Sequence, residues 1–215
     1  MGTDIHAFLE IDWGSDDYEP FIDEGDIRPF NTGDILLRRN YELFDALANG
    51  RSGNPGLRPR KRPLYPARGI PDVVSWAVAD CYYLRVIEPD QDPREFLAEW
   101  CKGESLPAPV SRADADRFVA DGLSCFAPNP YVSDVSSRGE NGVTQIRQVR
   151  RQLVSNPNWH HASWLTLAEV HAALDHFGLR VADLEVDVQA LLQTMALIEQ
   201  KCGDGRTRLV FWFDN

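Results

Sequence analysis

The stretch Gly2-Thr-Asp-Ile-His-Ala-Phe-Leu-Glu-Ile-Asp-Trp13 alternates without a break. Ile5, Ala7, Leu9, Ile11 and Trp13 fall on one side, and Asp4, His6, Phe8, Glu10 and Asp12 on the other. A period of two over this length predicts a β-strand with one face turned to a core. Near the other end, Arg208-Leu-Val-Phe-Trp-Phe-Asp214 is apolar without alternation, as a strand buried on both faces would be. So hydrophobic a strand belongs inside a sheet, and the first strand is its natural neighbour. The expected fold is α+β: a single domain over 1–215 whose mixed or antiparallel sheet holds the N- and C-terminal strands, with helices packed on it.

The helices announce themselves by their ends. Thr166-Leu-Ala-Glu169 is a capping box, and Gly178 is a stop, so a helix is predicted between them with Leu167, Val170, Leu174 and Phe177 as its buried stripe. A second runs from about Glu185 to Lys201 and ends at Gly203-Asp-Gly205. Asn40 to Asn49 reads as a short amphipathic helix, and Pro93–Cys101 and Ala113–Ala120 as two more. Trp76 to Ile87 is aromatic and apolar, with strand character in its second half. Two irregular regions are expected: a basic Gly/Pro/Arg-rich loop at 50–71 and a Ser/Pro/Asn/Gly-dense loop region at 122–142.

Composition narrows the function classes. With 43% hydrophobic and 26% charged residues the chain can bury a substantial core. No apolar run reaches the roughly 18 residues of a membrane-spanning helix, and the N-terminus lacks the pattern of a secretory signal, so no membrane partner and a cytoplasmic location are expected. Cys81, Cys101, Cys125 and Cys202 form no close pair, which removes a zinc ribbon and leaves reduced, buried thiols as the expectation. The net charge of −11 argues against general nucleic-acid binding. That charge is uneven. Arg51, Arg58, Arg60, Lys61, Arg62 and Arg68 fall within 18 residues that contain no acid, so against a total of −11 the rest of the chain carries −17.

Three places carry chemistry. On the first strand Asp4 and His6 are two apart and point the same way, so they could share a divalent transition metal or form an acid–base pair; a solvated polar strand face explains them equally well. The second place is Asn158-Trp-His160-His161-Ala-Ser163-Trp-Leu-Thr166, at the start of the capped helix. His6, His160 and His161 with Asp4 would make a two-histidine, one-carboxylate metal set if the segments converge. In an extended segment only one of the two adjacent histidines easily points at a given spot. His6, His161 and Ser163 are the catalytic candidates, and Thr166 adds a hydroxyl at a helix N-terminus that favours anions. The alternative is that Trp159 and Trp164 anchor a loop whose histidines lie at the surface. His161-Ala-Ser163 also matches the His-x-Ser element of two-histidine phosphoesterases, but the second element that fold needs is absent.

The third place is the basic segment. Arg51, Arg58, Arg60, Arg62 and Arg68 are candidate ligands for an anionic small molecule, since guanidinium groups pair phosphates in bidentate fashion. Pairing with the protein's own acids, such as those of Asp16–Asp26, is the competing explanation. The chain contains none of the P-loop, G-x-G-x-x-G, G-x-S-x-G or H-E-x-x-H motifs.

Met1-Gly-Thr-Asp-Ile-His6, Arg39-Asn-Tyr-Glu-Leu-Phe44, Arg68-Gly-Ile-Pro-Asp72, His161-Ala-Ser-Trp-Leu-Thr166 and Val210-Phe-Trp-Phe-Asp-Asn215 together resemble a family of uncharacterised proteins of bacteriophages and prophages, along the whole chain. That family usually has Cys where Thr3 stands here, and often His-Ser-His-Ser near 159–163. The resemblance implies a phage accessory protein acting in the bacterial cytoplasm, with a possible anti-defence role, and brings no activity with it. Three functions follow as expectations: a binder of an anionic, nucleotide-like molecule; a metal-dependent phosphoesterase or other hydrolase; and a protein–protein inhibitor of a host enzyme, its acidic surface mimicking nucleic acid.

Overall fold

The computed structural model describes residues 4–14, 27–31, 35, 37, 39–48, 61–87, 109–128, 131–138 and 144–214, with the backbone alone at 131–138 and 144–151. Along the chain the elements are β1 (Ile5–Asp12), β2 (Ile27–Pro29), α1 (Tyr41–Ala48), α2 (Trp76–Tyr82), β3 (Tyr83–Ile87), β4 (Val110–Ser111), α3 (Arg112–Ala120), β5 (Tyr131–Arg138), β6 (Thr144–Arg151), β7 (Leu153–Ser155), β8 (His160–Thr166), α4 (Leu167–Phe177), α5 (Val186–Cys202) and β9 (Thr207–Phe213). The fold is α+β. Its contacts fall into two compact units, Met1–Ala79 with Asn158–Asn215, and Asp80–Pro157. In the sequence the second unit is inserted within the first.

The first unit is built on an antiparallel sheet in the order β2-β1-β9-β8. The first and last strands are neighbours, paired from Ile5↔Phe213 to Ile11↔Thr207. Every residue of β9 is buried, as its unbroken apolar run requires. One face of the sheet carries Ile5, Ala7, Leu9, Leu165, Leu209, Phe211 and Phe213 into a core shared with Leu43, Phe44 and Leu47 of α1, Val170 and Leu174 of α4, and Leu191, Leu192 and Met195 of α5. Each of the Ile, Leu, Val, Phe and Met side chains among them contributes about 1.5–3 kcal/mol by leaving water. The helices begin where side chains satisfy their first free N–H groups. Asn40 Oδ1 accepts from the N–H of Glu42 and Leu43 at 3.1 and 3.0 Å, and Thr166 and Glu169 complete the expected capping box. Gly178, in the left-handed conformation at φ 74°, ends α4.

The opposite face of the sheet is buried as well. Phe8, Glu10 and Asp12 of β1 and Arg208, Val210 and Trp212 of β9 lie on it, each at most 4% exposed. The segment before α2 covers part of it: the Ser75 N–H donates to Glu10 Oε1 at 2.5 Å, and Arg208 Nη2 donates to the Val73 carbonyl at 2.5 Å.

In the second unit, β3 pairs in parallel with β4 and antiparallel with β7, and Leu84, Val86, Ala115 and Val154 form a small core. Ser111 caps α3 by accepting from the Asp114 N–H at 3.1 Å. β5 and β6 pair antiparallel from Tyr131↔Arg151 to Arg138↔Thr144. The irregular region expected at 122–142 thus includes a strand, and Phe126 adds an isolated bridge to Val154. Its Ser-rich composition masks the strand, because the pairing is supplied by β6. The helix expected at Pro93–Cys101 and the acidic stretch Asp16–Asp26 lie outside the described residues. Cys81, Cys125 and Cys202 are free thiols, but Cys125 is exposed and the other two are half-buried, so the expectation of burial fails for them. Among the described residues no helix is long and apolar enough to cross a membrane.

Candidate functional site: an imidazole cluster at the end of the sheet

The β1–β9 ladder brings the chain's two ends together one step beyond its last pair. The Asp214 N–H donates to the Asp4 carbonyl at 3.2 Å, and the Asp4 N–H donates to Asp214 Oδ1 at 2.9 Å. Two carboxylates side by side need cations. Arg39, just ahead of α1, grips Asp4 with Nε on Oδ1 and Nη2 on Oδ2 at 2.7 Å. That hydrogen bond holds the Asp4 carboxyl below its ordinary value. Asp214 keeps Oδ2 turned to His6, 3.6 Å from Nε2.

His6 stands cross-strand from Trp212. Its ring lies 5.7 Å from that indole, nearly parallel at 18°, and 4.6 Å from the ring of Trp159, tilted by 53°. The solvated polar face considered for Asp4 and His6 is thus, at His6, a half-buried imidazole set among two tryptophans and a carboxylate.

β8 supplies the other imidazoles through a bulge. His160 pairs with Phe213 and Ser163 with Phe211, so three steps along β8 match two along β9. The extra residue is absorbed with His161 at φ 50°, among the described residues a non-glycine in the left-handed region. In a regular strand two successive side chains would diverge, but the bulge turns His160 and His161 toward each other, Nδ1 to Nδ1 at 2.7 Å, with the rings nearly perpendicular. His160 also stacks on Phe213 at 5.9 Å and places Nε2 3.2 Å from the Asp214 carbonyl. Burial, with His160 beside it, holds His161 below the ordinary imidazole value.

The expected convergence of β1 with the His160–His161 segment therefore occurs, around Asp214. The expected metal set does not. Among the described residues no three His, Cys, Asp or Glu side chains take up positions able to hold a metal ion. Asp4 has both oxygens engaged by Arg39, and His160 and His161 spend their Nδ1 atoms on each other.

The remaining candidates are part of the scaffold. Ser163 is fully buried, and its Oγ accepts the Arg68 N–H at 3.2 Å. Thr166 and Glu169 cap α4, and the Glu169 carboxylate occupies the helix N-terminus where an anion was expected. Arg68 is bound to that carboxylate at 2.6 and 3.1 Å, with its guanidinium over Trp164 at 4.8 Å and Tyr65 at 5.0 Å. Together with the Gly69 N–H donating to the Ala162 carbonyl at 2.9 Å, it ties the chain to the edge of β8. At the other end of α4, Lys61 donates to the His176 carbonyl, and His176 Nε2 donates to the Arg62 carbonyl at 3.1 Å. The segment from Lys61 to Gly69 is thus a strap from one end of α4 to the other. Arg51, Arg58 and Arg60 lie outside the described residues.

Asp214, Arg39 and Trp212 are site residues that the pattern did not single out. The register would have found the first: with Ile5 opposite Phe213, Asp4 must meet Asp214, and a carboxylate pair asks for a cation nearby. Comparison with known protein families, with curated proteins and with solved structures returns no match.

Proposed function

We propose that the protein binds an anionic, nucleotide-like small molecule at the imidazole cluster, as a phage accessory protein that withdraws such a molecule from the host cytoplasm. One observation carries the reading: His6 and His160 arrive from two strands at Asp214, His161 joins them through His160, and Trp159 and Trp212 flank His6. Imidazoles supply hydrogen bonds and, when protonated, positive charge to an oxyanion, while the half-buried indole of Trp159 offers a flat apolar surface to a base; Trp212 is fully buried and serves as backing for His6. The phage context rests on the sequence resemblance, and the acid-free run 51–68, with six basic residues in an otherwise acidic chain, is a further sequence feature that suits an anionic ligand.

The test is a thermal-shift panel of linear and cyclic nucleotides at pH 6 and pH 8. A true ligand at 100 times its Kd adds about 2.7 kcal/mol to the folded state, enough to raise Tm by several degrees. A panel in which no compound moves Tm removes the reading. The His6–Asp214 pair favours a second one, hydrolysis with His6 as the general base oriented by the carboxylate. Mass analysis of each stabilising nucleotide after incubation separates the two: an unchanged mass is binding, and an added water is hydrolysis.

A further inference from the structure

Helix α5 turns Val188, Leu191, Leu192 and Met195 into the core. Opposite such a stripe a surface helix ordinarily shows solvent a charged face, and α3 does so with Asp116 and Arg117. α5 does not. From Val186 to Gln200 its exposed positions are Val186, Ala190, Gln193, Ala196, Leu197 and Gln200, none of them ionisable. Val186 is 81% exposed and Leu197 63%. At 3.6 residues per turn the six cover about a third of the helix circumference, opposite the buried stripe, over about 21 Å of length.

A chain with a net charge of −11 repels its own copies, so a long uncharged band is where two of them meet against least opposition. The charges at the ends of the band choose the arrangement. Asp187 in the first turn and Lys201 in the last lie on the same flank of it. A two-fold axis crossing the band at Gln193 sets two such helices antiparallel. Val186 then stands level with Gln200 of the other copy, and Ala190 with Ala196. Asp187 of each copy comes within about 3 Å in height of Lys201 of the other, on the same side of the seam. A parallel pair would instead set Asp187 against Asp187. The small Ala190 and Ala196 let the backbones approach, and the two Gln193 amides can each donate to the other's oxygen.

We propose that the exposed face of α5 is a homodimer interface, on which a second copy of this chain docks antiparallel about a two-fold axis at Gln193. The inference is independent of the anion-binding reading. Val186 and Leu197 supply the gain by leaving water, and the polar Gln193 at the seam fixes the register. A band about 21 Å long and 10 Å wide falls well short of the roughly 800 Å² that each partner buries in a standard interface. The dimer is therefore reversible, with a dissociation constant in the micromolar range or above.

The experiment is sedimentation velocity on the full chain from about 1 µM to about 1 mM. The weight-average mass is expected to climb from that of one chain toward that of two, and this series needs no variant to fold. Leu197→Glu puts a carboxylate into the band twice per dimer, at a position the monomer leaves exposed, and is expected to weaken association about tenfold or more. Asp187→Lys and Lys201→Glu each set like charges across the seam and are expected to weaken it a few-fold. The double variant restores opposite charges and is expected to recover wild-type association. A mass of one chain at every concentration overturns the dimer and leaves the band to a different occupant. Association that Leu197→Glu leaves unchanged puts the contact elsewhere and overturns the assigned face. Single reversals without effect, or not recovered by their combination, overturn the antiparallel order.

Discussion

Glu10 and Arg208 stand opposite each other on β1 and β9, and Nε and Nη2 of the guanidinium reach the same carboxylate oxygen at 2.8 and 2.7 Å. Glu10 is fully buried and Arg208 is 2% exposed. Burial pulls the guanidinium below its ordinary value, and Glu10 opposes that pull through its charge and its hydrogen bond. The second oxygen of Glu10 takes the Ser75 N–H, and Arg208 takes the Val73 carbonyl. The pair therefore fastens the segment before α2 onto the sheet.

Removing one partner strands the other charge in a dry environment. Glu10→Ala is expected to destabilise the fold by about 3–5 kcal/mol, because the cost of an unpaired buried ion far exceeds the net worth of the pair. The double variant Glu10→Leu/Arg208→Met is expected to recover much of that loss, since apolar replacements of buried ion pairs are often neutral or better. Urea denaturation reads both. A single-variant loss below about 1 kcal/mol would place the pair among solvated surface bridges.

The same pair shows what the sequence conceals. Alternation along Gly2–Trp13 identifies β1 and its apolar face, and the capping box, Gly178 and the apolar run of β9 identify α4 and the central strand, because each is a local signal. Burial of the second face is not local. Glu10 on a strand reads as solvated until Arg208, 198 residues away, is known to sit opposite. β8 eludes the pattern for a different reason: its bulge breaks the period of two within His160–Ser163, so two histidines that should diverge converge. The basic segment misleads in a third way, since composition cannot say whether Arg68 awaits a ligand or Glu169.

The clasp between Arg68 and Glu169 makes an acid-sensitive contribution. Burial works to raise the Glu169 carboxyl, but hydrogen bonds from Arg68 and the Thr166 N–H prevail and leave it below its ordinary value. A depressed folded value means the stabilisation is complete above the unfolded value of about 4.3 and fades as pH falls through the folded one. Wild type is thus expected to exceed Glu169→Gln in Tm by a constant margin above about pH 5, worth about 1 kcal/mol after solvent screening. The margin should close on acidification toward pH 3. Thermal melts of both proteins from pH 7 to pH 3 check it, and a margin that widens in acid contradicts the assignment.

Thr166 acts on the same helix end by a different route. Its Oγ1 accepts the Glu169 N–H at 3.4 Å, and its own N–H donates to Glu169 Oε2 at 3.0 Å. Thr166→Ala removes the hydroxyl but keeps the N–H, and is expected to lower stability by about 1 kcal/mol. Thr166→Ser keeps the cap and should lose a fraction of that. Because the hydroxyl caps α4, the proposed nucleotide affinity, measured below all three melting points, should be the same in wild type and both variants. A selective loss of affinity in Thr166→Ala would return Thr166 to the ligand site.

His161 separates backbone from side chain. At φ 50° it sits where β-branched residues are strongly disfavoured, while Asn enters with little strain. His161→Asn is expected to fold with nearly wild-type stability, and His161→Val to lose about 1–3 kcal/mol more, since a branched Cβ must either bear the left-handed strain or unmake the bulge. His161→Gly, free of that restriction, should be no less stable than His161→Asn. Chemical denaturation orders the three variants. If Val proves as stable as Asn and Gly, the left-handed bulge does not persist in solution, and the meeting of His160 with His161 loses its structural cause.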